Sequence, residues 1–148
     1  MAAQVSSVRF PGRADQVRRA RNFVGSALGL EHAGREDAIL LVSETVTNAV
    51  AHTGSGEPGG FVTVTVSRTD SWARVVVADA GAQTVPCFCR VGVESTAGRG
   101  SELLDACASR WGITRDPHGT RVWFDVGVAP EDAAHRRESA TGVLSPAY

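Results

Sequence analysis

In the stretch LVSETVTNAVAH, Glu44 and Asn48 stand four residues apart, a spacing that stacks two side chains one helical turn apart, with His52 one turn further on. An asparagine carbonyl is a hard oxygen ligand for magnesium, and a carboxylate beside it can take a proton from an incoming nucleophile. The pair equally suits a solvated polar face, and a histidine at a helix end commonly caps or packs. Asp79 closes an apolar run and is followed by Ala80-Gly81, so a carboxylate sits beside a residue that permits close approach of a ligand. Such an acid can accept the exocyclic amine of adenine; Asp before Gly also makes ordinary turns. Gly98-Arg99-Gly100 directly precedes the helical pattern that begins near Ser101. Main-chain N–H groups at a helix N-terminus, with a guanidinium beside them, attract phosphate, and the same glycines also suit a plain loop.

These groups need elements to hold them. Val5 to Phe10 reads as a short strand ending at Pro11-Gly12, and Ala14 to Leu28 as an amphipathic helix. In that helix Val17, Ala20, Val24, Ala27 and Leu28 share one face and Arg18, Arg19 and Arg21 take the rest. Arg35 to His52 again has helical spacing, with Ile39, Val42, Val46, Ala49 and Val50 as its apolar stripe, and stops before Thr53-Gly54-Ser55-Gly56. Phe61 to Val66 alternates valine with threonine, as a half-buried strand does. Trp72 to Asp79 follows after the turn Arg68-Thr69-Asp70-Ser71, which requires antiparallel pairing; its Val75-Val76-Val77 run suggests burial on both faces. Ala80 to Gly98 has no sustained period and reads as a lid. Ser101 to Trp111 has helical spacing, and Ile113 to Arg115 and Thr120 to Val126 flank Pro117-His118-Gly119 as a closing hairpin. Residues 5–127 therefore read as one domain and residues 128–148, polar and rich in alanine, as a disordered tail.

Fifteen basic residues face sixteen acidic ones, a balance that gives no footprint for nucleic acid or for an anionic membrane. Partners must be recognised locally. All fifteen are arginine, so phosphate contacts fall to guanidinium or main-chain N–H groups; a GC-rich coding sequence gives the same bias. Cys87, Cys89 and Cys107 have neither C-x-x-C spacing nor histidines at zinc-ligand distances, and read as inert thiols. The sequence shows no apolar signal core and no run near the ~20 residues that span a bilayer, so a reducing, cytoplasmic setting is expected.

Taken together and in order, Glu44-x-x-x-Asn48-Ala49 with His52, Asp79-x-Gly81, Gly98-x-Gly100 with Leu103, and Gly119-Thr120 resemble the boxes of the GHKL ATPase and kinase superfamily. The opening RFPG turn and the GRG…WGI run resemble the stand-alone bacterial anti-sigma-factor serine/threonine kinases. The resemblance spans about Val5 to Val126. It implies a Bergerat-type α/β fold, a two-layer sandwich of a mostly antiparallel mixed sheet with helices on one face and ATP under a lid. It further implies that Asn48 holds the magnesium ion, Glu44 is the catalytic base and Asp79 binds the adenine amino group. Gly81 lets the base approach, Gly98 and Gly100 cradle phosphates, and Thr120 supports the adenine pocket from the last strand; Arg99, by its residue type, adds a bidentate charge contact to the phosphates. Expected partners are a sigma factor and a small antagonist protein that receives the phosphoryl group, in a domain that is often a homodimer. Gln83 stands where the first glycine box usually ends in Gly, and Ser101 where the second usually has a bulky aliphatic. Those departures favour the alternative, a nucleotide-dependent protein-binding regulator without phosphoryl transfer.

Overall fold

The valine-threonine alternation of Phe61–Arg68 seeds the sheet. In the computed structural model, which describes residues 3–52, 59–79, 102–117 and 119–127, Val62, Val64 and Val66 are buried while the residues between them are half-exposed. The elements run in order β1 (Gln4–Pro11), a single 3₁₀ turn (Ala14–Gln16), α1 (Val17–Leu28), α2 (Arg35–His52), β2 (Phe61–Arg68) and β3 (Trp72–Asp79). A third helix, α3, covers 102–107 and is followed by β4 (Arg110–Asp116) and β5 (Gly119–Gly127). The strands lie in the order β1-β2-β3-β5-β4, and every described pairing is antiparallel. This is an open α/β sandwich, with α1 and α2 packed on each other and against the sheet.

The core is the inner face of that sheet. Phe10, the three β2 valines, Ala73, Val75 and Val77 of β3 and Phe124 and Val126 of β5 meet Ala20, Val24 and Leu28 of α1 and Ala38, Leu41, Val42 and Val46 of α2. Burying a side chain of this size contributes roughly 1.5–3 kcal/mol, so this layer contact, rather than helix propensity, holds the helices in place. Val76 corrects the expectation of a strand buried on both faces: it is half-exposed, between buried Val75 and Val77. The strand alternates with period two, and no described element covers the outer face. There Arg74 forks onto Asp125 at 2.6 and 2.9 Å and stacks over Trp123 at 4.4 Å.

Except for β3, the strands extend one to three residues beyond the stretches read off the pattern, and two helical boundaries also differ. Ala14–Gln16 is 3₁₀, because Arg13 at the N-cap makes no side-chain cap bond and the first turn tightens instead. The helical spacing expected as far as Trp111 stops at 107, and Arg110 opens β4. Trp111 pairs with Phe124 across the ladder, and its indole N–H donates to Asp105 at 2.8 Å. The main-chain bonds that β5 offers outweigh local spacing there.

Candidate functional site

Asp79 is the last residue of β3 and follows Ala73, Val75 and Val77 at period two, so its carboxylate lies on the inner, helix-covered side of the sheet. Thr120 takes the corresponding place on β5, one register step beyond the Ala78–Arg121 pair. Its main-chain N–H donates to Asp79 Oδ1 at 3.1 Å. Two residues picked out in the sequence thus meet at one end of the sheet. The donor is a main-chain group, which is why the threonine's residue type carried no sign of this role.

The position of α2 relative to that end follows from how it starts. His32 is buried; its Nδ1 accepts the N–H of Gly34 at 3.0 Å, so Nε2 carries the proton and donates to the Thr69 carbonyl, also at 3.0 Å. That clamp ties the α1–α2 connection to the β2–β3 hairpin. Gly34 presses on Val126, where an added Cβ would fall 2.6 Å from a valine methyl. Val126 pairs with Ala73 at the far end of β3. Helix α2 begins there and packs along β3, β5 and β2. At ~1.5 Å per residue it is about as long as the eight-residue strand beneath it, so its last turns reach the Asp79–Thr120 end.

Glu44 and Asn48 stand on those last turns, both half-buried beside the sheet-facing Leu41, Thr45 and Ala49. Among the described residues neither side chain hydrogen-bonds to another protein group, whereas Thr45 and Thr47 turn their hydroxyls back onto main-chain carbonyls of their own helix. A half-buried carboxylate and amide without partners among the described residues have hydrogen-bonding capacity that a ligand can use. Their chemistry fits a magnesium ion, since the amide carbonyl is a hard donor and the adjacent carboxylate adds charge without closing the site.

Gly81, Gly98, Arg99 and Gly100, the proposed lid, Gln83, Ser101, Cys87, Cys89 and the tail 128–148 all lie outside the described residues, as does the side chain of His52. Cys107 is a free, half-buried thiol. Among the described residues no three His, Cys, Asp or Glu side chains gather as a metal site, and no helix is long and apolar enough to cross a membrane. A family model described as histidine kinase-like ATPase domain matches residues 10–126. No curated protein matches the chain.

Proposed function

The chain belongs to the histidine kinase-like ATPase domain family, an ATP-binding GHKL fold, and from that premise we propose that it is an anti-sigma-factor-type serine/threonine protein kinase. What supports the reading is the Thr120–Asp79 hydrogen bond at one end of the sheet, together with half-buried Glu44 and Asn48 on the last turns of the helix that packs on β3. Asp79 recognises the adenine amine and Asn48 holds the magnesium ion. Magnesium, when bound, neutralises phosphate charge. Glu44 accepts the proton of the serine or threonine hydroxyl of a small antagonist protein, and the rest of the catalysis is positioning. Gly98, Arg99 and Gly100 cradle the phosphates, and Gly81 gives the base room. In this reading the domain also sequesters a sigma factor in the cytoplasm, as a homodimer, and so regulates transcription.

The one-turn spacing of Glu44 and Asn48 supplies the test. Asn48→Ala weakens Mg-ATP binding, whereas Glu44→Ala leaves binding nearly intact and lowers phosphoryl transfer by about 10²–10⁴-fold, the usual worth of a general base. The measurements are calorimetric ATP titration and transfer of label from ATP to candidate antagonist proteins. Equal transfer by wild type and Glu44→Ala removes Glu44 as the base. Gln83, standing where the usual pattern ends in glycine, favours a second reading as a binding-only regulator. That reading replaces the kinase if wild type binds ATP and phosphorylates no cognate antagonist.

A further inference from the structure

On the flank of α2 away from the site just described, a groove of about 440 Å³ runs between the two helices. At 100° per residue Asn48 lies roughly 180° round the helix from Ile39, so the groove and the Glu44–Asn48 line occupy different sides of one element. Arg18, Arg21, Asn22 and Ser26 of α1 and Arg35 and Ile39 of α2 line it. Among the described residues no carboxylate does. Among the described residues the ion pairs engage Arg13, Arg68 and Arg74, and none reaches Arg18, Arg21 or Arg35.

Arg35 is held in place. Its Nε donates to the Gly25 carbonyl at 3.3 Å, and a Cβ at Gly25 would fall 2.9 Å from its Nη2 and 3.3 Å from Ile39 Cδ1. The glycine on α1 is therefore the seat on which this guanidinium rests, half-buried, while Arg18 and Arg21 reach in from the exposed side of α1. Three like charges round one concavity repel each other, and an anion placed among them relieves that repulsion. Guanidinium forks match carboxylates in pairs. Ile39 adds an apolar contact that a bare phosphate cannot use. From Arg18 to Ser26 the groove follows α1 for about 12 Å, the reach of about four extended residues. With a formal net charge of −1 the molecule offers no long-range attraction to a polyanion, so recognition rests on this local cluster.

We propose that the groove between α1 and α2 docks a short acidic segment of a partner protein, with carboxylates on Arg18, Arg21 and Arg35 and an apolar side chain on Ile39. This rests on the regulator reading only in that the occupant is a protein; it needs neither nucleotide nor phosphoryl transfer. The probe is a fluorescein-labelled peptide, Glu-Glu-Leu-Glu-Glu-Leu-Glu-Glu, titrated by anisotropy into the full chain without nucleotide. The outcome is then separate from the fate of the ATP site. Saturable binding is expected, weakened at least about tenfold by Arg18→Glu/Arg21→Glu and changed less than about twofold by Arg9→Glu/Arg121→Glu, which removes the same charge from the outer sheet face. Replacing the peptide leucines by serine weakens binding several-fold. Should charge reversal lower the melting temperature, Arg18→Gln/Arg21→Gln with an unchanged melt gives the same ranking. The proposal is overturned if the two charge reversals weaken binding equally, if the serine peptide or inorganic tripolyphosphate binds as tightly, or if no peptide binds.

Discussion

One oxygen of Asp79 is fixed by the Thr120 N–H, and that bond decides what substitution does. On the proposed reading, the amide of Asp79→Asn turns its carbonyl to Thr120 and sets a donor where the adenine amine needs an acceptor. ATP affinity is expected to fall about ten- to a hundredfold, equivalent to roughly 1.5–3 kcal/mol, and GTP to bind poorly to the wild type; calorimetric titration with both nucleotides checks this. Cys107 is a second residue whose surroundings set its chemistry. Burial pushes its thiol above the ordinary 9.0, and the Asp37 carboxylate, by its charge and by a hydrogen bond, pushes it further. The raised value means that the folded state holds the proton more tightly. Its contribution to stability is whole below about pH 9 and lost as pH rises through the shifted value. Thiolate is the reactive form, so iodoacetamide should modify Cys107 slowly at pH 8 and faster in Asp37→Asn, whose rate–pH profile moves to lower pH.

Helix α2 is the element on which both the candidate site and the groove depend, and its anchorage is a contact too close for a side chain. A Cβ at Gly34 meets a Val126 methyl at 2.6 Å and the Val126 main chain at 3.3 Å, and Val126 is fixed in the β3–β5 ladder. Gly34→Ala therefore has to lift the start of the helix, at a cost of about 1–3 kcal/mol, read as a lower urea midpoint. Weaker Mg-ATP binding should follow, because Glu44 and Asn48 ride on the far end of the same rod. On the outer sheet face, Asp125 is almost fully buried beneath Arg74. Removing the guanidinium leaves a buried carboxylate that water reaches only partly, so Arg74→Ala should cost about 1–3 kcal/mol. Its ATP affinity should hold, since β3 and β5 keep the ladder that joins Asp79 to Thr120.

At the scale of the whole molecule, ATP binding must appear as stability. At a ligand concentration a hundred times Kd, Mg-ATP stabilises by about 2.7 kcal/mol, on the order of 10 °C in Tm for a domain of this size. Chelating magnesium with EDTA should abolish much of that shift in the wild type and change little in Asn48→Ala; differential scanning fluorimetry measures both. Much of the molecule was legible in the sequence because it is written in local periods. Valines every second residue gave β2, a valine run after a short turn gave β3 though not its half-exposed face, apolar residues at helical spacing gave α1 and α2, and the one-turn interval of Glu44 and Asn48 put them on one side of α2. The ordered boxes pointed to the family that residues 10–126 belong to. What only the tertiary structure decided depends on partners far along the chain. Val76 is half-exposed because no described layer covers its face, and Trp111 joins a strand because β5 offers it a ladder. Asp79 is oriented by an amide forty-one residues away. The arginine groove had no signature, since Arg35 lies on a different segment from Arg18 and Arg21; they become one site only because Gly25 lets α2 lay its Arg35 guanidinium against α1. Periodicity reports which face of an element is buried, and it carries no information about which other element that face will meet.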